Sequence, residues 1–167
     1  MAKRYSLLVF IRHRTAPFLF PVERDDYDRL SGILDTISGS SNTSFFWCDT
    51  TDGRSVVINL IAVQAVRFLW DGSHVLRAPE AYADPVQLYL SGRNEPIHAD
   101  VDSAESIYDF FSQLELNPMM PPFPSFVDSD GEYLYANSSE IDLVIAPKDL
   151  MDEGARIVQE ELGKTPE

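Results

Sequence analysis

The sequence has one cysteine, Cys48, in 167 residues, and it has few cations, with 13 Lys and Arg against 27 Asp and Glu. A single cysteine excludes an intrachain disulfide and a multi-cysteine metal site. The net charge of −14 argues against a nucleic-acid partner, because binding to phosphates depends on clustered Lys and Arg. The apolar runs are too short or too interrupted for a membrane span, which takes about 20 apolar residues. The N-terminal run lacks the small residues of a cleavage site, so we expect a cytoplasmic protein.

The spacings typical of catalytic and metal sites are also missing from the sequence. The histidines are scattered without a His-x-x-x-His pattern, and there is no glycine loop for phosphate. Asp128, Asp130 and Glu132 alternate as in the first half of a calcium loop, but Gly131 follows Asp130 directly instead of coming after three ligands. This pattern favours an acidic hairpin turn. We therefore predict no catalytic residues, no metal site, no cofactor and no enzymatic activity.

One stretch of the sequence occurs twice in recognisable form. Residues 51–68 align with residues 129–144 at an offset of 78, and segments upstream align at an offset of 79. Two copies are too few for a solenoid, so the alignment predicts a pair of small domains. The matched residues are Gly53 and Gly131, Asn59 and Asn137, Val63 and Ile141, and Val66 and Val144.

Periodicity assigns the same element order to both halves. Apolar runs bounded by Gly, Pro and Asp-Gly signals predict strands, and apolar residues at three- and four-residue spacing predict one helix in each half. We expect an α+β fold of two tandem β-β-α-β-β-β copies with a pseudo-twofold relation and a C-terminal helix. The predicted divisions are a first repeat over 1–70, a connection over 71–85, a second repeat over 86–147, and a helix and tail over 148–167.

The two halves differ in charge. Up to Ala78, nine Lys and Arg stand against eight Asp and Glu, whereas four stand against nineteen after it. Such asymmetry bears on association and steering rather than on fold. We predict a head-to-tail contact in which Arg12 and Arg14 face the acidic surface of another molecule, since a twofold contact would set like charge against like. A homo-oligomer, as a ring or a filament, is the expected form.

A proline-rich segment without a counterpart in the first half follows the second predicted helix. Its prolines fix φ and remove backbone donors. We expect Met119, Met120 and Phe123 to be displayed on this stiff loop as a partner-binding surface, because adaptable methionines beside an aromatic ring suit a partner. The alternative is that these three side chains close the core of the second repeat.

The run Asp52-Gly53-Arg54-Ser55-Val56-Val57-Ile58-Asn59, followed by Val63 and Val66, resembles the fourth and fifth strands of Sm-like small barrels. The sequence departs from that family in two ways. Asn59-Leu60 and Asn137-Ser138 stand where the family has an Arg-Gly step for RNA contact, and a helix interrupts the strands. The resemblance implies ring-type oligomerisation, while the net charge argues against the family's binding of RNA.

Three functions remain open from the sequence. The first is a non-enzymatic module for protein interaction or assembly, favoured by the repeat, the charge asymmetry and the missing catalytic spacing. The second is an acidic inhibitor or immunity-type protein whose second repeat covers a basic protein partner. The third is a regulator that binds a small ligand or anion at the cluster of Arg12, His13 and Arg14.

Overall fold

The computed structural model describes residues 2–36, 45–71, 86–115 and 122–164. These residues form ten strands and three α-helices, which confirms the α+β class. No helix among them is long and apolar enough to span a membrane. In chain order the elements are β1 (Tyr5–Ile11), β2 (Phe18–Val22), α1 (Arg24–Thr36), β3 (Phe45–Asp49), β4 (Ser55–Asn59), β5 (Val63–Trp70), β6 (Val86–Leu90), β7 (Ile97–Ala99), α2 (Ala104–Glu115), β8 (Ser125–Val127), β9 (Tyr133–Ala136), β10 (Ile141–Ile145) and α3 (Lys148–Gly163).

The order β-β-α-β-β-β occurs twice, in a first unit from β1 to β5 and a second unit from β6 to β10. Strand pairing is also alike in the two units. In the first unit, β1 lies between β2 and β5, and β3 pairs with β4. In the second unit, β6 lies between β7 and β10, and β8 pairs with β9. The predicted element order is therefore present in both halves, while an origin by duplication stays a prediction.

The turns that the sequence alignment matched have the same local structure. Gly53 and Gly131 take positive φ, at 91° and 77°, as a tight turn after an Asp requires. Asn59 and Asn137 each precede a single-turn 3₁₀ helix, and each side chain accepts a hydrogen bond of 3.1 Å from the backbone N–H two residues later. From β3 to β5, residues therefore hold positions equivalent to those 78 residues later in the second unit.

One antiparallel ladder joins the units into a five-stranded sheet of order β2-β1-β5-β9-β8. Its register sets Ala65 opposite Ala136, Val66 opposite Tyr135 and Arg67 opposite Leu134. A twofold axis between the units would add an equivalent ladder between β10 and β4. In the described sheets, however, β4 pairs with β3 and β10 pairs with β6. The strand pairing is therefore not the pseudo-twofold arrangement expected from the sequence, because only one of the two symmetric ladders is formed.

The second unit contributes side chains to the core of the first. Tyr135 lies on β9 but is buried in the first core, where its ring meets Phe68 at 5.3 Å between centroids. Its hydroxyl lies 2.9 Å from Ser31 Oγ and 2.9 Å from Asp35 Oδ1, both on α1. The second core is formed by β6, β7, α2 and the strands β8 to β10. Shared packing thus accompanies the shared sheet.

Helix α3 packs on α2 and closes the second core from outside. Leu150 and Met151 lie against that core. The close approach depends on Gly154, because a Cβ there would lie 2.6 Å from Tyr108 Cβ and would also meet the backbone of Ala104. The predicted C-terminal helix therefore docks on the body of the protein through its glycine.

Candidate functional site

A buried ion cluster lies at the junction of the units. Arg67, from β5, is 3% exposed and reaches two carboxylates of the β8–β9 hairpin. Its Nη2 lies 2.9 Å from Asp128 Oδ2 and its Nε lies 3.2 Å from Glu132 Oε2. Its Nη1 donates to the carbonyl of His98 at 2.6 Å. One guanidinium therefore ties the first unit to two parts of the second.

The cluster contains two buried carboxyl groups for one cation. Burial, together with the neighbouring Asp128, raises the pKa of Glu132 from 4.5 to about 8, although Arg67 acts in the opposite direction. Within the described part of the chain, Glu132 Oε1 has no hydrogen-bond partner. One guanidinium faces two buried carboxyl groups, so burial and the neighbouring Asp128 favour the protonated form of Glu132.

The same hairpin carries the carboxylate alternation that resembled a calcium loop. The ligand atoms of Asp128, Asp130 and Glu132 lie within 4.8 Å of one another. Asp128 Oδ1, however, accepts hydrogen bonds from the backbone N–H groups of Asp130 at 2.9 Å and Glu132 at 3.0 Å, which shapes the turn. Asp128 Oδ2 is engaged by Arg67. These contacts are those of an ion-paired hairpin turn.

The β3–β4 hairpin and β10, which have open edges in the described sheets, carry exposed apolar side chains. On the β3–β4 hairpin, Phe45, Trp47 and Val57 are 62%, 64% and 62% exposed and lie on one face, because Trp47 is opposite Val57 in the register. On β10, Leu143 and Ile145 are 51% and 45% exposed. Open edges with large apolar residues are uncommon in monomeric proteins, because such edges template pairing with another strand.

The residues that correspond to three of these positions in the other unit are buried. Phe123, which corresponds to Phe45, is 5% exposed. Tyr135, which corresponds to Val57, is 1% exposed, and Ala65, the counterpart of Leu143, is fully buried. The exposure of the open edges therefore follows from the missing ladder. We call the surface formed by these exposed side chains the edge surface; its residues are Phe45, Trp47, Val57, Leu143 and Ile145.

The predicted site residues are placed apart from this edge surface. Arg12 is half-buried, and its Nε donates to Glu140 Oε1 at 2.7 Å, so much of its charge is compensated within the chain. Arg14 is exposed at the β1–β2 turn, and no ion pair of its side chain occurs among the described residues. Both line a cleft between the units. Whether they bind a protein partner stays a prediction.

The proline-rich segment gives a mixed outcome. Met119 and Met120 lie outside the described residues. The expectation that Phe123 is displayed is wrong, because this side chain is 5% exposed and belongs to the first core. The alternative assigned it to the core of the second repeat, whereas it packs against the first unit. The reason is the β5–β9 ladder, which brings the segment before β8 over the first core.

Sequence reasoning missed the ion cluster and the edge surface. A signal for the cluster was present, since Arg67 interrupts the apolar strand from Val63 to Leu69, and a charge in a buried strand needs a carboxylate partner. The edge surface follows from the partner of each strand, which the sequence pattern does not specify.

Comparison of the chain with protein-family models, with curated proteins and with solved structures gives no match. The resemblance to Sm-like barrels therefore stays a prediction.

Proposed function

We propose that the protein is a non-enzymatic assembly module whose chains join head to tail, with β10 of one chain pairing with β4 of the next. The observation that supports this is the ladder between β5 and β9 inside the chain. Strand β10 holds the place of β5 in the second unit, and β4 holds the place of β9 in the first. A second copy of the chain therefore offers β10 and β4 partners equivalent to those that form the inner junction.

The proposal specifies a register. The inner ladder pairs Ala65 with Ala136, Val66 with Tyr135 and Arg67 with Leu134. Moving the first member of each pair forward by 78 residues and the second back by 78 gives the outer ladder. Its pairs are Leu143 with Ile58, Val144 with Val57, and Ile145 with Val56.

The side chains suit this register on both faces of the ladder. Val66 and Tyr135 face the first core, and Val144 already packs against the second core. Val57 would therefore enter the second core of the neighbouring chain whose β10 it meets, as Tyr135 enters the first core within the chain. On the other face, Ile58 belongs to the first core, so Leu143 would be covered there. Burying one Val or Leu side chain contributes roughly 1.5–3 kcal/mol, before the cost of association.

Charge supports the same polarity of assembly. The second unit carries most of the acidic excess, whereas the first is nearly neutral. A contact between unlike ends avoids setting two acidic units against each other. Such a heterologous contact closes into a ring or extends into a filament, according to the rotation per chain. Oligomer masses should accordingly be multiples of 18.8 kDa.

Cysteine pairing tests the register. The variant Val57→Cys, Val144→Cys places thiols at directly opposed positions, whose Cα atoms in such a pair lie about 5.5 Å apart. We expect a ladder of disulfide-linked chains on a non-reducing gel. The matched control Val57→Cys, Leu143→Cys is one residue out of register, so its thiols lie on opposite faces and should not link. Cys48 should not interfere, because it is 3% exposed and burial raises the pKa of its thiol.

Light scattering after size exclusion tests the assembly itself. We expect the wild-type chain to form oligomers that grow with concentration and Val57→Asp to stay at 18.8 kDa, because a charge cannot enter the neighbouring core. The control Leu162→Asp, at a position 71% exposed on α3, should assemble like wild type. A wild-type monomer at every concentration would refute the proposal and favour a foreign partner for the edge surface.

A further inference from the structure

A cleft of about 910 Å³ lies between the β1–β2 turn of the first unit and the β6–β7 turn of the second. Its floor is partly apolar, with Leu8, Phe10 and Ile97 among the lining residues. The volume lies in the range of small-molecule sites, which combine apolar walls with a few polar groups. None of its residues belongs to the edge surface, so this cleft is independent of the proposed assembly.

The central cation of the cleft is Arg93, at the tip of the second turn. Its guanidinium donates to the carbonyls of Ile11 at 2.8 Å and Thr15 at 3.0 Å and to Gln64 Oε1 at 2.6 Å. All three acceptors are neutral, and no carboxylate pairs with Arg93 among the described residues. The group also lies 5.1 Å from the centroid of the Phe10 ring. Arg93 is thus held rigidly with its charge uncompensated.

The first turn adds further cations to the same cleft. Arg14 is exposed and lines it, and Arg12 lines it while paired with Glu140; the imidazole of His13 lies beside them. Glu95 is the other lining carboxylate, and it is exposed. In a chain of net charge −14, a cleft with this excess of cations is a local reversal of sign.

The backbone at His13 takes a conformation that side chains disfavour. His13 has a φ of 64°, and the equivalent residue in the second unit is Gly92, with a φ of 74°. A residue with a Cβ is disfavoured in this left-handed region by roughly 1–2 kcal/mol, which glycine avoids. The first turn therefore has an imidazole beside the cleft where the second turn has glycine, although glycine would be less strained there.

We infer that the cleft binds a small organic anion, with its acidic group at Arg93 and Arg14 and its apolar or aromatic body against Leu8 and Phe10. A phosphate, sulfonate or carboxylate group would accept charge-assisted hydrogen bonds from these guanidinium groups. The body would cover apolar surface that stays open in the cleft. The two turns of the units thereby form one site that neither turn forms alone.

The probe for this site is 8-anilinonaphthalene-1-sulfonate, because it combines an aromatic body with a sulfonate. Its neutral analogue N-phenyl-1-naphthylamine lacks the acidic group. We expect Arg14→Gln to weaken sulfonate binding roughly tenfold, which is the order of the contribution of one hydrogen bond to a charged group. Binding of the neutral analogue should be unchanged. Inorganic phosphate should displace the sulfonate. Arg156→Gln, at an exposed arginine on α3, is the matched control and should bind like wild type.

The same titration separates this site from the edge surface. Val57→Asp should bind the sulfonate as wild type does, whether or not assembly occurs. Arg93→Gln is a second variant, to be compared only if its circular dichroism matches wild type. Equal sulfonate binding by wild type, Arg14→Gln and an Arg12→Gln, Arg14→Gln double variant would overturn the inference. The inference would also be overturned if Val57→Asp lost binding of the sulfonate while the arginine variants kept it.

Discussion

Replacing Glu132 with glutamine tests whether a neutral carboxyl group lies at the junction of the units. Glu132 is 1% exposed beside Arg67 and Asp128. Glutamine keeps the shape of the neutral acid and removes its titration. If Glu132 is protonated in the folded protein at pH 7, Glu132→Gln should preserve the contacts of the cluster. If Glu132 is ionised instead, the replacement removes one of the two negative charges that face Arg67.

The sign and size of the effect follow from the pKa. Burial raises the pKa of Glu132 from 4.5 to about 8, so the folded state binds a proton that the unfolded state releases between these values. The contribution of Glu132 to stability is complete below pH 4.5, falls as the pH rises, and is lost above about 8. Each pH unit in this window changes the free energy of unfolding by about 1.4 kcal/mol, which gives at most roughly 5 kcal/mol in total.

The assay is urea denaturation of wild type and Glu132→Gln at intervals from pH 4.5 to 8.5. We expect the free energy of unfolding of Glu132→Gln to increase relative to wild type as the pH rises. The control Glu161→Gln, at an exposed position on α3, should show no such trend. A difference between Glu132→Gln and wild type that does not change with pH would refute the reasoning. It would mean that Glu132 is ionised in the folded protein and that Arg67 compensates both carboxylates.

Two further predictions concern packing. Gly154→Ala should lower the free energy of unfolding by about 1–3 kcal/mol, because its Cβ would overlap the backbone of α2. The control Gly32→Ala, on α1, has open space and should raise the free energy of unfolding by up to about 1 kcal/mol. Equal effects of the two variants in thermal unfolding would contradict the docking of α3. Phe123→Ala truncates a core side chain and should lower the free energy of unfolding by about 3–5 kcal/mol. Phe45→Ala, at the equivalent exposed position, should change the free energy of unfolding of the dilute chain by less than about 0.5 kcal/mol. Similar effects of the two variants in urea denaturation would show that Phe45 is buried.

The features predicted correctly from the sequence are those fixed by neighbouring residues. The Asp-Gly turns required positive φ at Gly53 and Gly131, and both glycines have it. The three- and four-residue spacing of Leu30 and Leu34 predicted the buried face of α1, where both are fully buried. Element order followed because each of these signals acts within a few residues. The repeat then carried the same assignment into the second half.

The features missed from the sequence depend on contacts between distant residues. Pairing of β5 with β9 joins residues about seventy apart, and many other strand pairs would bury similar apolar area. The burial of Phe123 and the contact of Arg67 with Glu132 both follow from that one pairing. The apolar character of Phe123 was visible in the sequence, but which core receives it depends on topology.

The inner junction contains buried charges and the proposed outer junction does not, and this difference determines which strands can pair. Arg67 corresponds to Ile145 on β10, and Asp128 and Glu132 correspond to Thr50 and Arg54 on the first hairpin. Pairing β5 with β4 of another chain would leave the guanidinium of Arg67 without its carboxylates, and breaking a buried pair in this way costs about 3–5 kcal/mol. The ion cluster therefore reserves β5 for β9 of the same chain. In the proposed outer junction, β10 and β4 carry no such cluster, so their pairing leaves no buried charge without a partner.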